Sequence, residues 1–567
     1  MTTSILAKRS RPMVRVAPLR TICLVLGLLM AALIVLPIVG TIVRTFAESE
    51  GLSAFTRAAE LDDLGTTLLN TAIVVVVAVS AATLIGTVLA WLSERTTARM
   101  GWVSEITPVM PLLVPPVALA VGFVFLFSPR AGVVNVAIRS FTRSEATTGP
   151  FNIFSWYGLL SLYVIELIPV VYLVVSAALR SVDPALEQAS RTAGAGLFRT
   201  FVSVTLPSIR PAVVSSMFMS LTIALTLFSA PAIVGATAGI DVLSVRIVRL
   251  LTATYPPETD VAVVLGLLTL ICIGAAWTVQ LRILAAQRFA VVGGKGQRAS
   301  LIDLGPWTVP AKGLVLTFLS FATVLPALGL ILVSVQRFWS PRIEIATLGF
   351  DAYRRVFASG SITREAITNS VALGAAGATI ALMIATLCAL ALRERATGVF
   401  RAIDGLLKLP AGMSNIVIAV GILVTFAGSP FNLSGTVAIL LLAYVIIYMP
   451  QASIAANSAG SLVGRQLTEA SSIAGAAPSR TMRRVLLPLM VPSLASGWTL
   501  LFVYMAGDLT ASVLLASTNT PTVGYVLYEQ FTSGSYPTIA ALAVVLTSVS
   551  SLVAFSVLVL SRRARTT

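Results

Sequence analysis

Two acidic residues inside apolar stretches are the positions at which this sequence could carry polar chemistry. Glu166 lies in LYVIELIPVV and Asp508 lies in YMAGDLTASVLLA. A carboxylate in hydrocarbon is costly and normally faces a polar interior or a path for polar solutes. Two roles are open for Asp508, which either lines a translocation path or caps a broken helix beside Gly507. For Glu166, a hydrogen bond within the bundle near Pro169 is favoured over a position on such a path.

Catalysis and cofactor binding find little support elsewhere in the chain. It has no histidine, and Cys23, Cys272 and Cys388 are scattered, as is typical of small apolar packing residues rather than of a metal site. The string VVGGKGQRAS at 291–300 lacks the first glycine of a phosphate-binding loop and the hydroxyl residue that follows its lysine. The sequence therefore predicts no catalytic residue, no metal site and no cofactor, ATP included, in this chain.

Composition places the chain in a membrane. Hydrophobic residues make up 57% of its 567 residues and charged residues 11%, whereas soluble domains carry about 25% charged residues. The apolar residues fall in stretches of the roughly 20 residues that a helix needs to cross the hydrocarbon core. The sequence predicts an all-α membrane protein with about twelve transmembrane helices, six in each half. These spans are expected near residues 22–43, 71–92, 106–127, 158–179, 212–235, 261–284, 313–335, 367–392, 403–427, 435–457, 493–516 and 538–560.

Charge distribution indicates how the chain is oriented. A net charge of +16 would suggest a nucleic-acid partner in a soluble protein, but here the basic residues concentrate on the side of the membrane that holds the termini. This asymmetry follows the positive-inside rule. We therefore expect a multi-pass protein of the cell inner membrane with both termini in the cytoplasm. The basic segments 1–20 and 562–567 are interpreted as topology signals, and no nucleic-acid partner is predicted.

The chain contains a long internal repeat. Residues 186–211, LEQASRTAGAGLFRTFVSVTLPSIRP, align without a gap with residues 467–492, LTEASSIAGAAPSRTMRRVLLPLMVP, at an offset of 467 − 186 = 281. Upstream the offset is 299, since Asn70 matches Asn369, so the first half carries 299 − 281 = 18 additional residues around 130–150. Six spans per copy is an even number, which predicts a parallel duplication about an axis along the membrane normal.

The repeat also divides the chain into domains. A first transmembrane domain is predicted at 21–285 and a second at 313–561. The polar, glycine-rich segment 286–312 is interpreted as the linker between them. The first span of each half shows little similarity to the other, so we expect it to be a peripheral helix around a core of five.

Each repeated string predicts a rigid elbow, meaning two short helices joined by a glycine. The first elbow spans residues 183–207; the second lies within residues 467–488, keeps the glycine at Gly475 and lacks the Asp-Pro start of the first. In the first elbow, Asp183 is expected to cap the leading helix and Gly194 to end it. We expect the second short helix to close at Pro207, before the next span.

An elbow of this composition suits a groove on a partner protein, because it has an apolar face, small residues and basic edges. The alternative is an amphipathic segment that lies on lipid headgroups through its arginines. Conservation of the glycine and proline spacing between the two copies favours docking to a protein.

At these positions the chain resembles the permease subunits of ABC importers, whose coupling loop has the pattern E-A-A…G…L-P. The match in the second copy consists of Glu469, Ala470, Ser471, Gly475, Leu487 and Pro488. The match in the first copy consists of Glu187, Gln188, Ala189, Gly194, Leu206 and Pro207. Because Gln188 stands where the pattern has glutamate, with Glu187 beside it, the resemblance implies a weaker or displaced polar contact in the first copy.

The resemblance implies a fold, partners and a substrate. The fold would be that of type I ABC importer permeases, and the chain would be a transport subunit rather than an enzyme. Its partners would be two ABC ATPase subunits that bind ATP on the cytoplasmic side and an extracytoplasmic substrate-binding protein. Fusion of two halves in one chain is similar to the iron(III) permeases, so ferric iron is the first expectation. Thiamine, phosphonate, polyamine or another small solute remains the alternative.

Two other functional classes compete with this interpretation. An ion-coupled secondary carrier could also have twelve spans in two halves, but it would require several acids within the membrane and would have no need for two elbows. A membrane scaffold would explain the duplication but not the spacing within the elbows. ATP-dependent uptake with a co-purifying ATPase would discriminate between these classes.

Overall fold

The computed structural model describes residues 17–48, 53–101, 103, 110–285, 301–340, 345–394, 398–462, 467, 470, 471, 473–476 and 478–566. Helices dominate this part of the chain, in which extended backbone pairs only at isolated bridges. The predicted all-α class is therefore confirmed. The basic segment 1–16, the linker segment 286–300 and Glu469 lie outside the described residues.

The first half is a bundle of long helices with short helices between them. In the described residues these are α1 (Ala17–Glu48), α2 (Ser53–Ala59), α3 (Leu64–Arg95), α4 (Pro116–Phe127), α5 (Val133–Thr142), α6 (Trp156–Ser181), α7 (Pro184–Thr192), α8 (Leu197–Thr226), α9 (Pro231–Ala238), α10 (Leu243–Thr252) and α11 (Thr259–Ala285).

The second half repeats this order. Its helices are α12 (Gly305–Ser334), α13 (Asp351–Val356), α14 (Ile362–Glu394), α15 (Gly398–Gly412), α16 (Asn415–Phe426), α17 (Val437–Leu462), α18 (Pro478–Thr481 continued by Met482–Ala506), α19 (Thr510–Leu515), α20 (Val523–Ser533) and α21 (Tyr536–Thr566).

Hydropathy predicted the number of spans better than their continuity. Among the described residues, ten helices are long and apolar enough to cross a membrane, or up to twelve if each of two bent pairs forms one span. The predicted span 106–127 contains, in its described part, a 3-10 turn at Met110–Leu113 and the short helix α4. The predicted span 403–427 is divided between α15 and α16, which meet at 107°. The predicted span 212–235 breaks after Thr226, and α9 and α10 then meet at 90°. Window hydropathy misses these bends because it reports apolar composition and not chain direction.

The second helix of each elbow contains a widened turn. Residues Phe201–Thr205 form a π-helical turn in α8, and residues Met482–Leu486 form one in α18, at an offset of 482 − 201 = 281. The prediction that a short helix closes at Pro207 is wrong, because α8 continues through this proline. A proline inside a helix lacks the N–H donor and clashes with the carbonyl four residues earlier. The wide turn just before it gives the ring room, so elbow and span form one continuous rod.

Contacts at the opposite end of the bundle repeat as well. The side-chain amide of Asn70 donates to the carbonyl of Asp241 at 3.1 Å, and that of Asn369 donates to the carbonyl of Pro521 at 2.9 Å. The next residue in each half accepts a backbone N–H from the first residue of the helix that follows this carbonyl. Thr71 accepts from Leu243, and Ser370 accepts from Val523. The sequence match of the two asparagines thus corresponds to one repeated contact.

The first helix of each half packs on the other half. Helix α1 lies against α14, α15 and α16, where the Cys23 thiol donates to the carbonyl of Leu387 at 3.4 Å. Helix α12 packs on α4 so closely that a Cβ atom at Gly122 would lie 2.8 Å from the carbonyl oxygen of Pro326. The first helix of each half therefore joins the two halves by packing on the opposite one, and its peripheral position stays a prediction.

Candidate functional site: two elbows and their anchors

The first elbow starts with a capped helix and turns at a glycine. Asp183 accepts the N–H of Ala185 at 2.9 Å, as predicted, and α7 follows. The chain turns at Gly194, whose φ of +85° lies in the left-handed region that favours glycine. The N–H of Ala195 closes the turn on the carbonyl of Ser190 at 3.1 Å.

The second elbow has the same turn. Gly475 has a φ of +74°, and the N–H of Ala476 bonds to the carbonyl of Ser471 at 3.1 Å. The N–H of Ala474 bonds to the carbonyl of Ala470 at 3.0 Å. Predicted contact residue Glu469 is outside the described residues, so its contribution stays a prediction.

One hydroxyl pair braces each elbow from inside. The hydroxyls of Ser190 and Thr200 lie 3.1 Å apart, and those of Ser471 and Thr481 lie 2.7 Å apart. Ser471 and Thr481 are the repeat counterparts of Ser190 and Thr200 at the offset of 281. Ser471, which sequence analysis assigned to the coupling motif, therefore has a partner within its own elbow.

Both elbows present small and apolar groups outward. Of the predicted coupling residues, exposed positions are occupied by Gln188, Ala189, Gly194, Pro207, Ala470, Gly475 and Pro488, whereas Leu206 and Leu487 are half-buried. Large apolar side chains are exposed nearby at Leu186, Phe198, Leu467 and Ile473. Exposed apolar groups that cluster on a rigid protrusion are typical of a surface covered by a partner.

Glu187 faces the bundle instead of this outer surface. Its side chain is only 2% exposed, as is that of Arg95 at the end of α3, and the two charged groups lie 3.6 Å apart. The hydroxyl of Thr205 donates to Glu187 Oε1 at 2.7 Å. Arg95 also donates to the carbonyls of Leu179 and Val182 at 2.7 and 2.6 Å, which lie at the C-terminal end of α6, where a positive charge is favourable.

A second carboxylate reinforces the same place. Glu94 Oε1 accepts from the hydroxyl of Ser176 and from the guanidinium of Arg180, both at 2.6 Å, and so ties α3 to α6. We call the polar cluster beneath the first elbow the first anchor. It consists of Glu94, Arg95, Ser176, Arg180, Glu187 and Thr205.

The described part of the linker joins this anchor. The N–H of Ile302 donates to the carbonyl of Arg95 at 2.8 Å, and the N–H of Thr97 donates back to the carbonyl of Ile302 at 3.0 Å. The hydroxyls of Thr97 and Thr308 lie 3.1 Å apart, and Thr308 belongs to α12. The linker thus connects the second half to the residues that hold the first elbow.

Apolar packing fixes the second elbow. Its helix α18 packs on the ends of α14 and α17 through a separate buried cluster, which we call the second anchor. This anchor consists of Leu390, Ala459, Met482, Leu486 and Met490. The two anchors differ at equivalent positions, since Leu486 is the repeat counterpart of Thr205 and Thr468 is that of Glu187.

Asp508 caps a helix, which was one of its two predicted roles. The carboxylate is 5% exposed, and its Oδ2 accepts the N–H groups of Ala511 and Ser512 at the start of α19, at 2.8 and 3.2 Å. The hydroxyl of Tyr448 donates to Oδ1 at 2.9 Å. Helix α18 ends just before it, and a Cβ atom at Gly507 would lie 2.6 Å from that of Pro115 in the first half. Asp508 thus sits where the halves meet, and its place on a translocation path stays a prediction.

Glu166 lacks the predicted hydrogen bond at one carboxylate oxygen. Its Oε1 is buried without a hydrogen-bond partner among the described residues, so the preferred interpretation, a bond near Pro169, fails at that atom. The place of Glu166 on a translocation path stays a prediction.

Sequence reasoning missed the first anchor, although one signal was present. Arg95 was counted only as a positive charge at the end of a span. A similar pair, Glu394-Arg395, stands at the end of the corresponding span at an offset of 394 − 94 = 300, one residue beyond the offset of 299 in this region, and both of its side chains lie outside the description. An acid-base pair at the ends of both spans could have indicated an interior contact.

Comparisons with known proteins find permease components of transport systems. Residues 82–289 match the family described as "Binding-protein-dependent transport system inner membrane component". A putative ferric transport system permease protein of Haemophilus influenzae is 23% identical over 77% of this chain and 68% of its own length. A ferric transport system permease protein of Actinobacillus pleuropneumoniae is 23% identical over 80% of this chain and 65% of its own length. The chain thus spans about two thirds of the length of these relatives.

A shorter relative matches a smaller part of the chain. A putative 2-aminoethylphosphonate transport system permease protein of Salmonella paratyphi A is 25% identical over 40% of this chain and 85% of its own length. Relatives named for different substrates therefore share sequence with this chain.

Proposed function

We propose that this chain is an inner-membrane permease component of a binding-protein-dependent transport system and forms the translocation path of an ABC importer. The observation that carries the proposal is the duplicated elbow. Both copies have a left-handed glycine, a hydroxyl brace and a π-helical turn at one offset. Two equivalent rigid protrusions with exposed apolar residues suit two copies of one partner.

The elbows would dock on two ABC ATPase subunits, which bind and hydrolyse the ATP. A transport cycle then needs the elbows to hold these subunits in both states while the halves rearrange. The continuous rods α8 and α18 suit this task, because a rigid helix transmits displacement into the membrane where a flexible loop would absorb it. This chain would contribute no covalent chemistry.

Ferric iron is the substrate that the relatives favour. The ferric permeases match 77% and 80% of the chain, whereas the phosphonate relative matches 40% and a spermidine/putrescine permease of Haemophilus influenzae matches 38%. An extracytoplasmic binding protein would deliver the substrate and set its identity. Phosphonate, polyamine, thiamine or another small solute is the second candidate.

The elbows and both termini would face the cytoplasm. The excess of basic residues on that side supports this orientation. Asp508 and Glu166 would then lie between the halves, near the route of the substrate.

Reconstitution tests the proposal directly. The affinity-tagged chain is purified from its own host in detergent, the co-purifying proteins are identified, and the complex is placed in liposomes. We expect an ABC ATPase to co-purify and radiolabelled ferric iron, presented on the co-encoded binding protein, to accumulate only with ATP. Uptake driven by an ion gradient without ATP would instead indicate a secondary carrier. ATP-dependent uptake of another solute, with no iron uptake, would retain the importer and exclude iron.

A further inference from the structure

The first anchor joins four helices at the base of the first elbow. Arg95 comes from α3, and it bonds to the last carbonyls of α6 at Leu179 and Val182. It faces Glu187 in α7, which accepts from Thr205 in α8. A movement of α7 therefore reaches α3, α6 and α8 through polar contacts that are shielded from water.

Burial makes these contacts stiff and directional. Arg95 and Glu187 are each 2% exposed, and removing one member of a buried charged pair leaves the other charge without compensation. Neither group can exchange its partner for water, as an exposed pair does. The anchor therefore resists separation of the elbow from the bundle.

The same arginine also holds the second half of the chain. Its carbonyl accepts the N–H of Ile302, and Thr97 bonds back to Ile302 and faces Thr308 at the start of α12. Helix α12 in turn packs on α4 of the first half. A displacement at the first elbow is thus conducted to both halves.

The anchor is also incompletely bonded in this conformation. Arg95 Nε and Glu187 Oε2 are buried without hydrogen-bond partners among the described residues, and 3.6 Å is too long for a hydrogen bond. A small shift of α7 toward α3 would complete a bond between the two groups. The pair therefore has a second, tighter arrangement available to it.

We propose that Arg95 and Glu187 are positioning residues that make the first elbow, the ends of α3 and α6 and the start of the second half move as one unit. The inference rests on the proposed function, since it assigns the pair to coupling between ATP hydrolysis and transport. Neither residue touches the substrate or the ATPase. They act by keeping the first elbow in a fixed position relative to α3, α6 and α8 during the transport cycle.

Glu187→Gln is the sharpest test, because glutamine keeps the shape and can still accept the Thr205 hydrogen bond while the charge is lost. In proteoliposomes of the full complex we expect ATPase co-purification and ATP hydrolysis to stay near the unmodified level. Substrate transported per ATP hydrolysed should fall about five- to tenfold, within the range that residues along a coupling network produce. A purely structural role would lower both activities together.

Asp351→Asn is the matched control. It breaks an ion pair with Arg354 that is of similar length, 3.2 Å, but whose members are 62% and 81% exposed. This pair lies at the opposite end of the bundle from the elbows. We expect no change in ATP hydrolysis or in the coupling ratio, because exposed pairs contribute little.

A double variant covers the case in which Glu187→Gln fails to fold. Replacing both Arg95 and Glu187 by methionine removes the buried charges together, which is often tolerated, and should give an assembled but uncoupled complex. The proposal is overturned if either assembled variant couples normally. It is also overturned if neither variant assembles, because the pair would then serve folding. An unmodified complex without ATP-dependent uptake would instead refute the proposed function itself.

Discussion

The two elbows are alike where they face outward and different where they join the bundle. Gly194 and Gly475 make the same left-handed turn, and the same hydroxyl brace and π-helical turn follow. Beneath the turn, however, the first elbow rests on the charged pair Arg95 and Glu187, and the second rests on apolar side chains around Met490. Thr205 and Leu486 mark the change at one repeat position.

This difference separates two requirements on a duplicated loop. The outer surface of each elbow has to fit a partner, and equal geometry in both copies fits two copies of one partner. The attachment has only to hold the elbow against its own half, which either charge pairing or apolar packing achieves. The two attachments should nevertheless respond differently to substitution, whereas the shared turns should respond alike.

The largest effect is expected from Arg95→Ala. This substitution leaves the carboxylate of Glu187 buried without its counter-ion. It also removes the guanidinium donor from the carbonyls of Leu179 and Val182. Breaking a buried ion pair from one side costs about 3–5 kcal/mol. The thermal unfolding midpoint of the purified chain in detergent should drop accordingly. A drop no larger than that of an exposed arginine, such as Arg354→Ala, would contradict the charged anchor.

A smaller loss is expected from Met490→Ala in the second anchor. Met490 is fully buried, and truncating a buried methionine to alanine costs about 2–5 kcal/mol. We expect the lower part of that range, because the neighbouring Met482 and the half-buried Leu494 have flexible or long side chains that can relax into the space. The same unfolding assay measures it, and Met490→Leu, which conserves volume, should be nearly neutral.

Features that depend on composition or repetition could be predicted from the sequence, whereas features that depend on backbone geometry could not. Long apolar stretches specify spans directly, and a gapless repeat identifies both elbows. Pro410 indicates a kink near the bend between α15 and α16, but the extent of the bend depends on the extended backbone of Met413 and Ser414, which window hydropathy does not report. Pro207 was taken as a helix end, since sequence does not show that a wider turn makes room for it.

The first anchor was missed for a different reason. Arg95 and Glu187 are far apart in sequence and meet only because α3 and α6 pack along their length, where a Cβ atom at Gly86 would lie 2.8 Å from that of Val171. A charge at the end of a span usually marks topology. Only the fold shows that this one is turned inward.

Alanine at either turn glycine should have an intermediate effect. No atom lies within 4 Å of an added Cβ at Gly194 or Gly475, so the cost is backbone strain alone, about 1–2 kcal/mol in the left-handed region. Stability should therefore fall equally in both variants. The loss of ATPase docking should be larger in the Gly475 variant, because the second elbow has Glu469 at the motif position that Gln188 fills in the first elbow.

Pulldown of the ATPase by the purified chain measures this asymmetry. Replacing Gly475 or Glu469 should impair docking more than replacing Gly194 or Gln188. Equal losses from the two elbows would show that the motif glutamate does not distinguish them, and that docking depends on the shared turn alone.

The smallest effect is expected from the hydroxyl braces, where the elbows should respond alike. Ser190→Ala and Ser471→Ala each remove one hydroxyl of a pair, and a neutral hydrogen bond of this kind contributes about 0.5–1.5 kcal/mol. Since the two braces occupy equivalent positions in equivalent turns, the thermal unfolding midpoints of the two variants should shift by similar amounts. A brace that matters in only one elbow would mean that the difference between the anchors extends into the turns, and the outer surfaces could then no longer be treated as equivalent.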